Sequence, residues 1–352
     1  MTPVSTLASE LIAWHGRHGR HDLPWQRDRT PYRVWVSEIM LQQTQVQTVI
    51  GYYERFMQRL PDVQALAAAP MDEVLHLWSG LGYYSRARNL KRAAERIVAE
   101  HGGELPSTRA ALADLPGIGR STAAAILSIS HGQRQAILDG NVRRVLSRVF
   151  GIDGPPAALA TLKVLWARAE DCTPERDAAT YTQAIMDFGA MLCTRHEPLC
   201  VRCPLQRDCI AHTTGRTREL PAPRVRAARR KRTVVMLLAV RLDGEVLLQR
   251  RPAQGIWGGL WTPPDFETLE QAYDYCGNRL QRARIEPASL PVLKHGFTHF
   301  DLEITPIRAR CEGVAGVMEG ADILWYNARQ PARIGLPAPI AALLTQPMST
   351  SP

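Results

Sequence analysis

LADLPGIGRSTAAAILSISHGQRQAILDGNVRRVLSR, residues 112–148, carries two pieces of chemistry close together. The first is Leu115-Pro116-Gly117-Ile118-Gly119, between a weak apolar-periodic stretch around Arg109–Leu115 and a strong one from Ser121 to Ile129. Pro fixes one φ, and the two glycines can take the positive φ of a tight turn. Ser121 or Thr122 is the expected cap of the second helix. Such a hairpin turns backbone N–H groups and a helix N-terminus outward, an anion site suited to a DNA phosphate. The second piece is Asp139 in Leu138-Asp139-Gly140-Asn141-Val142, a lone acid before a basic helix with Arg143, Arg144 and Arg148. Each has a bland reading of its own, a helix–turn–helix connection and a helix N-cap. A carboxylate delivered beside a phosphate clamp points instead to chemistry on nucleic acid.

The rest of the composition bounds that reading. A chain of 352 residues is enough for two or three domains with real cores. A net charge of +9 and a pI near 9.4 suit a polyanionic partner. The N-terminus lacks the charged and apolar regions of a signal peptide, and no apolar run approaches the roughly 18 residues of a membrane helix. Seven cysteines, four of them clustered, fit a reducing compartment and a metal site better than a disulfide framework. A soluble, intracellular protein with no membrane partner is expected.

Residues 4–18 read as an amphipathic helix, followed by a loop holding Trp25. From Pro31 to Val46 the apolar positions fit a helix only loosely. Glu38 falls among them, where desolvation would raise its pKa and keep it protonated, as a general acid requires. The run Gln42-Gln43-Thr44-Gln45 is odd for a surface, but amides can hydrogen-bond base edges. Helices are expected over 48–60, 64–69, 70–82 and 89–101. Between the last two, Tyr83-Tyr84-Ser85-Arg86-Ala87-Arg88 interleaves aromatics with cations, a composition suited to stacking and phosphate contact. Two further helices are expected over 158–170 and 176–192.

Cys193, Cys200, Cys203 and Cys209 form a C-x6-C-x2-C-x5-C array. Four soft thiolates in so short a loop fit either tetrahedral zinc or an iron–sulfur cluster, although zinc ribbons usually pair two C-x2-C knuckles and only one is present. Cys172, Cys276 and Cys311 read as small apolar residues. Residues 216–232 are Pro- and Arg-rich and read as a basic linker, with Arg224, Arg226, Arg229, Arg230, Lys231 and Arg232 near phosphates. Beyond it Thr233–Arg241 and Glu245–Arg250 are β-rich runs joined across Asp243-Gly244, a hairpin signal. A glycine-rich loop at 255–261, a helix over 267–281 and strands over 292–311 complete an α+β half.

LPGIGRSTAAAI followed by LDGNVRRVL resembles the helix-hairpin-helix DNA glycosylase superfamily, which includes endonuclease III and the MutY adenine glycosylases. SEIMLQQTQV, GLGYYSRARNL, the cysteine loop and a C-terminal half similar to the Nudix fold extend the resemblance to the MutY family over nearly the whole chain. It implies a multidomain chain: an all-α glycosylase region over 1–215, with a six-helix module of about 31–131 and a cluster module from 1–30 plus 132–215. The 216–232 linker and a Nudix-like lesion-recognition domain over 233–348 would follow. The Nudix helix here reads FETLEQAYDYCGNRL, without the paired glutamates that hold Mg²⁺, so triphosphate hydrolysis is not expected.

The same resemblance implies roles. Glu38 would be the acid that protonates a flipped adenine, Asp139 the carboxylate that stabilises the oxocarbenium-like sugar, and Asn141 its support. Trp25, Leu41, Ser121 and Gln183 would line the adenine pocket. Gln42 and Tyr83 would enter the duplex, with Gly117, Gly119 and Arg143 on its backbone. Thr298 and His299, in Phe297-Thr298-His299, would read 8-oxoguanine. The four cysteines would carry [4Fe–4S]. Ser121 stands where bifunctional relatives have a Schiff-base lysine, which implies a monofunctional enzyme. The implied partner is double-stranded DNA with adenine opposite 8-oxoguanine or guanine, and the implied setting a monomer on the bacterial nucleoid. Competing readings are an oxidised-pyrimidine lyase, a redox-sensing DNA-binding protein without catalysis, and a nucleotide pyrophosphohydrolase.

Overall fold

The computed structural model describes residues 4–223, 228–286, 290–314 and 322–345; Arg224 and Arg226 lie outside them. The chain divides into two compact units, residues 1–68 with 89–226 and residues 69–88 with 227–352.

The described part of the first unit is helical: α1 Val4–His18, α2 Pro31–Leu41, α3 Val46–Arg59, α4 Val63–Ala68, then, beyond α5 Met71–Leu77, most of α6 Ser85–His101, α7 Arg109–Asp114, α8 Arg120–His131, α9 Gly140–Val149, α10 Leu159–Cys172, α11 Ala178–Met191 and the short α12 Ile210–Thr213. Thr30 caps α2, accepting from the Arg33 N–H, and Pro31 opens it. The apolar pattern of α2 is weak because the helix is central, with Tyr32, Val34, Trp35, Val36, Ile39 and Met40 buried around it. A helix covered on several faces has no single stripe to show. Leu7, Leu11, Ala124, Val145, Leu146, Ile185 and Phe188 belong to the core joining α1, α8, α9 and α11.

The α7–α8 hairpin forms as the sequence predicts. Gly117 has φ +80 and packs so that a Cβ would lie 2.8 Å from the Asn89 Cβ, so both its conformation and its space require glycine. The expected serine or threonine cap is absent, because the N-cap of α8 is Gly119, with no side-chain bond. The Ser121 hydroxyl is engaged elsewhere and accepts from the backbone N–H of Leu138 at 2.9 Å.

The second unit is built on a sheet of order β10-β2-β1-β8-β6. Its described elements are β1 Arg230–Val240, β2 Val246–Arg250, β3 Trp261–Thr262, β4 Asp265–Phe266, α13 Leu269–Arg279, β5 Leu280–Gln281, β6 Arg284–Ile285, β7 Leu293–Gly296, β8 Phe300–Arg310, β9 Gly313–Val314, β10 Ile323–Tyr326 and α14 Ala338–Leu344. β1 and β2 pair antiparallel across the predicted turn, where Gly244 has φ +88. β1 and β8 run parallel. Thr268 caps α13 by accepting from the Gln271 N–H, and its own N–H donates back to the Gln271 side-chain oxygen.

Two boundaries differ from the sequence reading. Residues 69–88, grouped above with the six-helix module, belong to the second unit because polar contacts tie them there. Asp72 accepts both Arg250 guanidinium nitrogens at 3.0 and 2.8 Å and the Trp261 indole N–H at 3.1 Å. The 216–232 stretch is no free tether over its whole length. Leu220 is buried in the first unit, Arg216 pairs with Asp153 and Glu219, and Arg230 to Arg232 already form β1. Among the described residues no helix is long and apolar enough to cross a membrane.

Candidate active site

A cleft of about 1130 Å³ opens in the first unit, and most of the residues named from sequence meet there. Trp25, Glu38, Leu41, Gln42, Ser121, Asp139, Asn141, Arg143 and Gln183 all line it. Glu38 comes from the last turn but one of α2, Asp139 and Asn141 from the turn into α9, and Gln183 from α11. Trp25 sits in a 3-10 turn, held edge-on against Tyr53 with ring centroids 5.4 Å apart. Gly117 and Gly119 lie exposed at the hairpin, outside this lining.

The two carboxylates have different surroundings. Burial, and then the neighbouring Asp139 charge, push the Glu38 carboxyl up to about 7. Asp139 is also raised by burial, but the backbone N–H groups of Val142 and Asn141 and the charges of Arg144 and Arg143 work against that rise. Its Oδ1 accepts from Val142 N at 2.8 Å, so Asp139 is the N-cap of α9. The bland reading of this residue is thus true, and it leaves the cleft-lining acid intact. Glu38 is the group that holds a proton near neutrality.

That burial has a stability consequence. Ionising Glu38 in the folded protein costs free energy as pH rises from about 4.5 to about 7. Glu38→Gln keeps the shape and cannot ionise. It should therefore stabilise the protein above pH 7 by about 3 kcal/mol, roughly 7 °C in melting temperature, with no gain near pH 4. Calorimetric melting of both proteins at each pH checks this, and equal differences at the two pH values would refute it.

Arg144 ties the Asp139 turn to the cysteine loop. Its guanidinium donates to Asn141 Oδ1 at 2.8 Å, to the Gly189 carbonyl at 2.6 Å and to the Cys193 carbonyl at 2.8 Å. Arg148, one turn further along α9 and 2% exposed, donates to the carbonyls of Leu220, Thr194 and Arg195 and reaches Cys193 Sγ at 3.4 Å. Cys193, Cys200, Cys203 and Cys209 line one cavity beside it. Among the described residues no group of His, Cys, Asp or Glu is arranged for a single metal ion. Burial pushes the Cys203 thiol up to about 12, with the other three thiols adding to it, so holding thiolates together here requires a cationic group.

The remaining candidates lie in the second unit. Tyr83 is 46% exposed, with φ +48 in the left-handed region, and the Arg86 guanidinium lies over its ring at 5.4 Å. Thr298 and His299 are exposed at the turn between β7 and β8. Phe297 closes that turn with a 2.8 Å bond from its N–H to the Phe300 carbonyl and stacks on the Phe300 ring at 4.5 Å. His299 is thus no packed strand-end residue. Arg229 pairs with Asp301 and Arg232 lies over Phe300, so both have contacts within their own unit.

Sequence reasoning missed Arg20 and passed over Gln43 among its neighbours, and both line the cleft. Gln43 has φ +58, uncommon for a residue other than glycine and a frequent mark of functional sites. The amide run Gln42 to Gln45, singled out as odd, lies wholly on the cleft wall. Arg20 had no motif to reveal it.

A helical hairpin feeding a two-carboxylate cleft, followed by a Nudix-type sheet, defines a base-excision glycosylase with an appended domain. Family models agree: residues 36–170 match the HhH-GPD superfamily base excision DNA repair protein and residues 235–346 match the NUDIX domain. The adenine DNA glycosylase of Buchnera aphidicola subsp. Acyrthosiphon pisum is 36% identical over 336 residues, covering 95% of each chain. That of Homo sapiens is 45% identical over 217 residues, 59% of this chain and 40% of that one. The solved structure of a thermostable thymine-DNA glycosylase is 29% identical with a TM-score of 0.55, covering 60% of this chain and 97% of that one. A non-covalent endonuclease III–DNA complex, 22% identical with a TM-score of 0.52 over 60% of this chain and 96% of that one, shares the fold. The chain belongs to the adenine DNA glycosylase family, and it is an enzyme, a DNA N-glycosylase.

Proposed function

We propose that the chain binds double-stranded DNA and hydrolytically removes adenine mispaired with 8-oxoguanine or guanine, leaving the strand uncut. The observation that carries this reading is the placing of Glu38 and Asp139, an acid that keeps its proton near pH 7 and a capped carboxylate beside cations, on one cleft with Ser121.

Glu38 gives its proton to N7 of the flipped adenine. The C1′–N9 bond then breaks, and its electron pair leaves with the neutral base. Positive charge on the sugar is met by the Asp139 carboxylate, whose turn Asn141 and Arg144 brace. Water adds at C1′ as the Glu38 carboxylate takes its proton, which restores the acid. Trp25, Leu41, Ser121 and Gln183 enclose the base. Gln42 and Tyr83 enter the duplex, and Gly117, Gly119 and Arg143 hold its backbone. Thr298 and His299 read the 8-oxoguanine. No lysine replaces Ser121, so no Schiff base with the sugar forms and no strand cleavage follows.

Cys193, Cys200, Cys203 and Cys209 would hold a [4Fe–4S] cluster, whose binding supplies the free energy that orders this loop. The shared cavity of the four thiols supports that assignment. The enzyme works as a cytoplasmic monomer associated with the nucleoid.

A single-turnover assay tests the reading, with adenine opposite 8-oxoguanine, guanine or thymine and thymine glycol opposite adenine as control. Adenine loss opposite 8-oxoguanine, with breaks mainly after alkali, is expected. Cutting of thymine glycol without alkali would replace this function by the oxidised-pyrimidine lyase.

A further inference from the structure

Behind Gln183, one helical turn along α11, lies Asp187, whose side chain is fully buried. It does not line the cleft. Its Oδ1 accepts from the Arg20 guanidinium, including Nε at 3.0 Å, and from Gln183 Nε2 at 3.1 Å. Its Oδ2 accepts from the Arg20 backbone N–H at 2.9 Å and lies 3.4 Å from His15 Nε2. The hydrogen bonds from Arg20, with His15 close by, hold the carboxyl below its ordinary range although burial opposes them. An ionised carboxylate can only accept.

The amide of Gln183 therefore has no choice of face: its NH₂ must turn to Asp187 and its carbonyl oxygen away. That oxygen has no hydrogen-bond donor among the described residues, and the residue lines the cleft. We propose that Asp187 is a specificity-setting positioning residue, which locks Gln183 so that the cleft presents an acceptor to the base edge. Adenine carries an exocyclic amine, a donor, at the position where guanine and hypoxanthine carry an oxygen. An acceptor fixed by a buried charge favours the amine and leaves a 6-oxo purine facing an oxygen. An unconstrained glutamine would turn to suit either. This inference rests on the adenine reading above and adds the residue that enforces it.

The test measures single-turnover base release from duplexes with adenine, purine (which lacks the amine) or hypoxanthine opposite 8-oxoguanine. Asp187→Asn frees the amide to turn. Adenine release should fall at least tenfold while purine release changes less than threefold, and hypoxanthine should gain on adenine. In a Gln183→Met background, Asp187→Asn should leave the adenine-to-purine ratio unmoved. Equal losses on adenine and purine, or a ratio shift that persists without Gln183, would overturn the lock and leave Asp187 a structural anchor.

If Asp187→Asn fails to fold, Gln183→Glu probes the same contact. The new acid presents an acceptor to the cleft whether protonated or ionised, with no amide face to choose. Its preference for adenine over hypoxanthine should therefore be kept; a variant that releases hypoxanthine as readily as adenine overturns the proposal. Wild-type release of purine but no adenine would instead refute the adenine reading itself.

Discussion

Asp139→Asn is expected to lower single-turnover adenine release on the order of 10³-fold, with duplex affinity nearly unchanged. Asparagine caps a helix as well as aspartate does, and the bond from Val142 N to the side-chain oxygen can persist. The fold is therefore preserved while the charge opposite the developing cation is lost. Asp139→Ala would lose the cap as well, at a further cost of about 1 kcal/mol in stability. A variant Asp139→Asn that melts like wild type and keeps more than about a tenth of the activity would remove Asp139 from the reaction. The pH profile supplies an independent check, because release should fall as pH rises through about 7, where Glu38 gives up its proton. It should fall again in acid as Asp139 is protonated.

Arg148→Met is expected to destabilise the fold strongly. It removes the donors to three backbone carbonyls, those of Leu220, Thr194 and Arg195, from a side chain that is 2% exposed. The buried Leu220 carbonyl left unpaired costs about 1–3 kcal/mol and the part-buried Thr194 and Arg195 carbonyls about 1 kcal/mol each, for a total of roughly 3–5 kcal/mol. The melting temperature should drop by about 10 °C or more, and bound iron and sulfide per chain should fall with it. Arg148→Lys keeps the charge but cannot reproduce the planar fork, so it should restore little. A variant that melts within about 2 °C of wild type with full iron content would show that the cysteine loop is ordered without Arg148.

The hairpin, Asp139 and the cysteine array were legible because each is a local pattern: a turn needing glycine, a cap followed by a basic helix, a spacing of thiolates. Glu38 was legible as an acid among apolar neighbours, although α2 hides its own periodicity by being buried on several sides. What the sequence could not reveal is made by long-range contact. Arg20 meets Asp187 across 167 positions, and no local signal marks either residue. The membership of residues 69–88 in the second unit depends on Asp72 meeting Arg250 and Trp261, a pairing of ordinary residue types far apart in the chain. Ser121 was expected to cap its own helix, because cap preference is a local rule. The structure spends its hydroxyl on a backbone group 17 residues on.

That hydroxyl also constrains the history of the fold. A lysine at 121 could act as a Schiff-base amine, but its ammonium has donors only and cannot take the Leu138 N–H. A lineage passing from strand-sparing to strand-cutting chemistry would have to find a new acceptor for that amide, on the residue immediately before Asp139, or tolerate a loosened acid while the amine was gained.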